Sequence, residues 1–268
     1  MIERGRTEGT ADLYAKNVRY CLEDSNGITH RLISGGLAPN TSRLTLAALR
    51  AWALFNEDTK LAKRLGDIRL PPARRVRTKI PLELPELKKL IQHLRNCRMR
   101  NEGKRQTLLI MATRGLRCGD VLRFERDNVV RALRTGRMIY EGKGRKRTEI
   151  AAAPIRPSLE ALADIEDWSR VSDLVSSSVK PGSVTRIIRK AAKSAGKAAG
   201  VSDVYPHRLR RTFATQYLQR LKGDPNALVK LQKYMQWESL STAAQYVDAV
   251  SHDELDEIGA ALAGGLLD

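Results

Sequence analysis

The chain has 268 residues and a formal net charge of +18, with 48 lysines and arginines against 30 aspartates and glutamates. So basic a balance excludes a typical enzyme of neutral metabolites and indicates a polyanionic partner, either nucleic acid or an acidic membrane surface. No apolar stretch approaches the roughly 20 residues that span a bilayer, and the N-terminus lacks the apolar core of a signal peptide. The 3 cysteines show no pairing pattern, which is typical of reduced thiols. We therefore expect a cytoplasmic protein without membrane contact.

The first part of the chain has two helical patterns of apolar residues, over residues 10–24 and 40–58. Gly35, Gly36 and Pro39 interrupt them. The pattern predicts a small helical domain over residues 1–70.

A basic linker over residues 71–84 comes next. Its cations follow one another without an intervening acid, and they are Arg74, Arg75, Arg77 and Lys79. A solvated hinge is the simpler interpretation. In so basic a chain we favour a segment that lies along DNA phosphates, because each such contact releases counterions.

The rest of the chain, residues 85–268, is predicted to form a second domain. It begins with a helix after Pro85, and further helical patterns cover residues 104–112, 161–168, 183–199 and 224–234. Residues 128–153 instead contain short β-like runs, at 129–130, 138–140 and 149–151. We interpret these runs as a three-stranded antiparallel sheet with a basic hairpin tip at residues 142–147. The predicted fold is therefore mainly α with a small antiparallel β-sheet.

The tail, residues 251–268, reverses the charge of the chain, since it has acids but no lysine or arginine. Leu255, Ile258, Leu262 and Leu266 are spaced three, four and four apart, which places them on one helical face. The tail is therefore predicted to be a C-terminal helix that contacts protein and not DNA.

The most informative stretch is residues 205–246. His207, Arg210 and Arg211 lie three and four apart near a predicted helix start. Backbone N–H groups and guanidinium groups favour a phosphate there. The stretch closes with Trp237 and, nine residues later, Tyr246.

These motifs resemble the signature boxes of tyrosine recombinases, the phage integrase family. ATRGLRCGD at residues 112–120 resembles the first box, with its arginine at Arg117. His207-x-x-Arg210 followed by RTFAT resembles the second box, and LQKYMQWESLSTAAQY at residues 231–246 resembles the last. Three boxes in the family's order are far more specific than one. The resemblance implies a tyrosine-recombinase-like catalytic domain, preceded by a small helical DNA-binding domain over residues 1–70.

The resemblance also implies roles for the matched residues. Tyr246 matches the nucleophile that forms a covalent bond with the DNA phosphate. Arg117 and Arg210 match the two arginines that clamp the phosphate oxygens, and His207 matches the general acid/base. Trp237 replaces a commoner histidine; its indole N–H donates a hydrogen bond but accepts no proton. A packed core tryptophan is the alternative interpretation of Trp237, and the two are compatible.

Other matches are weaker. Lys143 matches the lysine that protonates the leaving 5′ oxygen, and Lys146 is the alternative on the same hairpin tip. Asp120 is expected to orient a neighbouring cation without touching DNA, and Arg114 stands where the family usually has a small residue. Further DNA contacts are expected from Arg145, Lys146, Arg147, Arg208 and Arg211.

The predicted function is therefore that of a site-specific DNA recombinase that acts through a 3′-phosphotyrosyl intermediate, in integration, excision or resolution of a DNA element. The alternatives are a DNA-relaxing enzyme similar to type IB topoisomerases and a catalytically silent DNA-binding protein. No metal and no cofactor are implied, because the histidines are scattered and no nucleotide-binding loop occurs. The expected partners are double-stranded DNA and further copies of the chain, in a tetrameric synapse joined through the tail, so that the protein would be nucleoid-associated.

Overall fold

A computed structural model of the chain describes residues 8–24, 27–33, 37–70, 80–97, 99, 101–142, 146–176 and 181–244. The chain divides into two compact units, Met1–Thr78 and Lys79–Asp268. The division falls inside the predicted linker. The predicted tail helix and the four predicted linker cations lie outside the described residues.

Helices form the described part of the first unit. They are α1 (Glu8–Leu22), α2 (His30–Ile33), α3 (Pro39–Phe55) and α4 (Thr59–Asp67). Both α1 and α4 pack against α3, and Val18, Leu49 and Leu65 are buried where they meet. The guanidinium of Arg50 in α3 donates to the Leu65 carbonyl at 2.8 Å, which satisfies an acceptor near the end of α4. The helices predicted over residues 10–24 and 40–58 are confirmed as α1 and α3.

The second unit is helical apart from one hairpin. Its described elements are, in chain order, α5 (Leu84–Asn96), α6 (Glu102–Arg114), α7 (Cys118–Val121), α8 (Arg126–Thr135), β1 (Arg137–Glu141), β2 (Arg147–Ala151), α9 (Arg156–Ala163), α10 (Val171–Val175), α11 (Pro181–Ala198), α12 (Pro206–Arg220), α13 (Ala227–Met235) and α14 (Leu240–Ala244). The mainly helical fold with a small antiparallel sheet is thus confirmed. The helix predicted over residues 161–168 lies earlier, as α9, because Pro157 in its first turn favours a helix start.

Helix α6 lies at the centre of this unit. It is apolar on most sides, with Leu108, Ile110 and Met111 almost fully buried, and a helix of that character must be surrounded by other elements. It packs against α5, α9, α10, α11 and α12. Since α6 ends at Arg114, three residues before Arg117, this packing fixes the position of the first sequence box.

The predicted three-stranded sheet is wrong in its first strand. Val129 and Val130 lie in α8, while β1 and β2 form a two-stranded antiparallel sheet in which Met138 is paired with Ile150. The helix is favoured because Val129 and Ala132 are three residues apart and are both buried. Gly136, with φ of 71°, then ends the helix and lets β1 begin at once. The strand preference of the β-branched residues Val129 and Val130 is therefore outweighed by the burial of one helix face.

Candidate active site

A cleft of about 640 Å³ opens between α7, the β hairpin and the segment after α13. The residues that line it are Arg117, Asp120, Tyr140, Gly142, Lys146, Arg147, Thr148, Glu149, Gln236, Trp237, Glu238, Ser239 and Thr242. Five residues that the sequence predicted for the active site or for DNA contact are among them. They come from three segments, the first and last of which are more than 100 positions apart, and the fold brings them to one place.

Arg117 reaches the cleft from the residue that precedes α7. Its Nη1 lies 3.7 Å from Oδ2 of Asp120, whose side chain is buried. The other carboxylate oxygen of Asp120 lies 3.7 Å from Nη1 of Arg123. Burial raises the pKa of the Asp120 carboxyl, against the opposing effect of the nearby arginines. Asp120 thus lies between two guanidinium groups, and its role of orienting a neighbouring cation stays a prediction.

Arg210 lies behind the cleft, in α12. It is 5% exposed, and its Nη1 donates to the Gly115 carbonyl at 2.6 Å. Its Nη2 donates to the Met235 carbonyl at 3.1 Å. The guanidinium carbon lies 5.5 Å from the ring centre of Trp237, which does line the cleft. Two carbonyls on different segments therefore fix the plane of this guanidinium.

Trp237 is packed and also lies at the cleft wall, so its packing is compatible with the predicted hydrogen bond to a phosphate, which stays a prediction. It is 8% exposed and packs with residues of α12 and α13. Its backbone N–H donates to the Gln232 carbonyl at 3.0 Å. Gln236, in a left-handed conformation with φ of 53°, ends α13, and its side chain donates to the Glu149 carbonyl of β2 at 3.1 Å. The bond from Gln236 to Glu149 joins the last sequence box to the hairpin.

The remaining predicted residues are placed less centrally. His207 is exposed in the first turn of α12 and does not line the cleft. Arg208 donates to the carbonyls of Ile80 and Ser202, at 2.9 and 2.7 Å, and so connects α12 to the segment before α5. Arg211 is partly buried in the same helix. The positions that lie outside the described residues are Arg74, Arg75, Arg77, Lys79, Lys143, Arg145 and Tyr246.

Lys146 and Arg147 of the hairpin both line the cleft and are exposed. Nζ of Lys146 donates to Oε1 of Glu238 at 2.6 Å. Both side chains are largely exposed, so this ion pair stabilises the fold little. It connects the hairpin to the segment after Trp237 at the cleft.

Sequence reasoning missed Tyr140 and Gln236, two residues that line the cleft. Tyr140 is buried in β1, and burial together with the charge of Asp120 raises the pKa of its phenol. The alternation of Met138 and Tyr140 as buried positions is a strand signal that could have placed Tyr140 on the inner face. Gln236 is adjacent to Trp237, but its left-handed backbone conformation has no sequence signal.

Gly115 allows α6 and α12 to approach each other, and replacing it tests that packing. Its φ is +68°, and an added Cβ would lie 2.5 Å from Cδ1 of Phe213. We expect Gly115→Ala to lower the free energy of unfolding by about 2–4 kcal/mol, from left-handed strain and overpacking together. Gly136→Ala is the matched control, because φ is +71° but nothing lies within 4 Å of the added Cβ. Both variants would be measured by urea denaturation. If they lose the same free energy of unfolding, the contact of the added Cβ with Phe213 costs nothing.

The described residues also bear on metal binding and on membrane insertion. Within the described ranges, no cluster of histidine, cysteine and carboxylate side chains is placed to hold a metal ion. Nor does any helix in that part of the chain combine the length and the apolar character that a membrane span requires.

Comparisons with known proteins bear on the family and the fold of the chain. Residues 82–252 match the family model described as "Phage integrase family". The fold is similar to that of a lambda integrase(75-356) dimer bound to a COC′ core site, with a TM-score of 0.64, 20% identity, and coverage of 92% of this chain and 90% of that one. No curated protein sequence matches the chain.

Two further structures share the fold. A lambda integrase tetramer bound to a Holliday junction has a TM-score of 0.65 and 18% identity, with 92% of this chain and 73% of that chain covered. XerH site-specific recombinase bound to palindromic difH substrate, in a post-cleavage complex, has a TM-score of 0.62 and 18% identity, with 93% and 78% covered.

Proposed function

Since the chain belongs to the phage integrase family, we propose that it is a site-specific tyrosine recombinase that cleaves and rejoins DNA through a 3′-phosphotyrosyl bond. The observation that carries the proposal is the cleft, where Arg117, Trp237 and the hairpin cations meet. An arginine fork, an indole N–H and an ammonium group together offer donors to several oxygens of one phosphate.

The chemistry follows from these groups. A base takes the phenol proton of Tyr246, a role that we assign to His207, and the phenol oxygen attacks the scissile phosphorus. The bond to the 5′ oxygen breaks, and that oxygen takes a proton from a general acid. Arg117 and Arg210 stabilise the charge that develops on the non-bridging oxygens. The phosphotyrosyl bond keeps the energy of the broken phosphodiester. A free 5′ hydroxyl of a partner strand then attacks it, which releases the tyrosine and rejoins the DNA.

The partners that we propose are double-stranded DNA and further copies of the chain. The similar structures include a lambda integrase dimer on a core site and a tetramer on a Holliday junction. The basic charge of the chain supports DNA as the partner, and the acidic, apolar tail at residues 251–268 supports contact between copies. The helical first unit is proposed to bind DNA, and the protein is proposed to act in the cytoplasm at the nucleoid.

Strand exchange tests this function against that of a DNA-relaxing enzyme. The DNA site would first be found by footprinting the protein on fragments from its own locus. Two labelled duplexes that carry this site, of different lengths, are then incubated with the protein. A recombinase gives products of new length, whereas a relaxing enzyme removes supercoils and reseals the same strands. Relaxation without any exchanged product would refute the proposal.

A sulfur substitution identifies the general acid. We expect Lys143→Ala to slow cleavage of normal DNA and to cleave a substrate with a 5′-bridging sulfur at nearly the wild-type rate, because a thiolate leaves without a proton. Lys146→Ala is the matched variant from the same hairpin tip, and among the described contacts it removes the ion pair with Glu238. Rescue of Lys146→Ala by sulfur, and not of Lys143→Ala, would assign the acid to Lys146.

A further inference from the structure

Arg114 is a buried arginine that contacts the C-terminal end of α13. It lies in the last turn of α6 and is 5% exposed. Its Nη1 and Nη2 both donate to the Tyr234 carbonyl, each at 3.3 Å. The guanidinium carbon lies 3.5 Å from the centre of the Tyr234 ring, which is a cation–π contact.

Packing alone does not account for an arginine at this position. Burying a guanidinium costs solvation, and an apolar residue of similar size would often be neutral or stabilising there. The cost is visible in Nε of Arg114, which is buried and has no hydrogen-bond partner among the described residues. Burial also lowers the pKa of Arg114. What an apolar residue would not supply is the fork of donors that holds the Tyr234 carbonyl.

The next carbonyl along α13 is the one that holds Arg210. Nη2 of Arg210 donates to the Met235 carbonyl, and its Nη1 donates to the carbonyl of Gly115, the neighbour of Arg114. Two guanidinium groups thus connect the C-terminal ends of α6 and α13. The carbonyls at helix C-terminal ends lack intrahelical partners and carry negative partial charge, so both cations are placed where they stabilise these ends.

The end of α13 also determines where Trp237 lies. Gln236 reverses the chain directly after Met235, and the backbone N–H of Trp237 bonds back to Gln232. A shift of the last turn of α13 would therefore move the Met235 carbonyl, which holds Arg210, and the indole at the cleft wall together.

We propose that Arg114 is a positioning residue for DNA cleavage, which holds the C-terminal end of α13 so that Arg210 and Trp237 keep their places at the cleft. The inference rests on the proposed function. Arg114 does not line the cleft. The inference nevertheless gives it an effect on the rate of cleavage that is separate from its effect on stability.

Single-turnover cleavage of nicked DNA that carries the footprinted site tests the proposal. We expect Arg114→Met to cleave about 10–10²-fold more slowly than the wild type, because small misplacements of catalytic groups cost that much. Its affinity for a half-site should be unchanged. Leu159→Ala is the control, since Leu159 is fully buried in α9 but does not line the cleft. This variant should be destabilised and yet cleave at the normal rate at temperatures where it is folded.

A double-mutant cycle separates positioning from general loosening. If Arg114 acts through Arg210, the slowing caused by Arg114→Met should largely disappear in an Arg210→Lys background. Equal fold-losses in both backgrounds, or a wild-type rate for Arg114→Met, would overturn the inference. Arg114→Lys carries the same test if Arg114→Met does not fold, because an ammonium group has no fork of donors.

Amide hydrogen exchange without DNA keeps this test independent of the proposed function. We expect residues 232–238 to exchange faster in Arg114→Met than in the wild type, and the Trp237 amide in particular. The same residues should be unaffected in Leu159→Ala. Unchanged exchange in Arg114→Met would refute the positioning contact, whereas a wild type that cleaves no DNA would refute the recombinase function alone.

Discussion

Tyr246→Phe is expected to abolish covalent attachment of the protein to DNA while leaving its affinity for DNA nearly unchanged. The substitution removes only the oxygen that we propose attacks the phosphorus, so the covalent bond is lost while the rest of the side chain is kept. Affinity depends instead on the many cations that contact phosphates. The measurement uses a nicked substrate that traps the covalent complex, which is then separated by denaturing electrophoresis, together with a gel-shift titration of the same DNA.

A second tyrosine provides the control for loss of a hydroxyl group. Tyr217 packs with Phe213 and Tyr234 on α12 and α13, with ring centres 6.3 and 4.8 Å away. Tyr217→Phe should therefore form the covalent complex normally. Persistent attachment of Tyr246→Phe to DNA would show that a different residue is the nucleophile.

Arg117→Lys is expected to slow cleavage by about 10²–10³-fold, the loss that follows removal of a comparable transition-state donor. An ammonium group keeps the positive charge but cannot bond two phosphate oxygens with a planar fork. Single-turnover kinetics at saturating protein measure the step directly, so that a change in affinity does not affect the result.

Arg123→Lys is a closely matched control for this substitution. Arg117 and Arg123 each lie 3.7 Å from one oxygen of Asp120, with side chains 37% and 43% exposed. Of these two arginines, Arg117 lines the cleft and Arg123 does not. Arg123→Lys should therefore cleave at the wild-type rate. If both variants cleave more slowly by a similar factor, the environment of Asp120, and not contact with the phosphate, sets the cleavage rate.

The sequence boxes predicted two residues that the fold brings to the cleft, whereas Arg210 lies behind it and His207 does not line it. Arg117 and Trp237 carry motif positions, and the fold brings both to one cleft with Lys146 and Arg147. Motifs of this kind succeed because they combine residue type with spacing, and both depend on the site's chemistry. The positions of Tyr246 and Lys143 at this cleft stay predictions.

What the sequence could not predict depends on contacts between distant segments. The strand predicted at Val129 is part of α8 because its neighbours at helical spacing are buried against the rest of the unit. The sequence marks Arg114 only as an unusual residue at its position. Its acceptor, the Tyr234 carbonyl, is 120 positions away, and a backbone carbonyl is present at every position, so no pattern identifies it. The ion pair of Lys146 with Glu238 joins side chains 92 positions apart, and no spacing in the sequence links them.

Identification of the residue that carries DNA tests the phosphotyrosyl mechanism most directly. The covalent complex formed on nicked DNA would be digested with trypsin, which releases residues 234–268 as one peptide, and then cleaved after Glu238, which separates Tyr234 from Tyr246. Mass spectrometry should find the 3′ phosphate of the DNA on the fragment that begins at Ser239, at Tyr246. DNA linked to any other residue, or no covalent complex with DNA that the folded protein binds specifically, would contradict the mechanism.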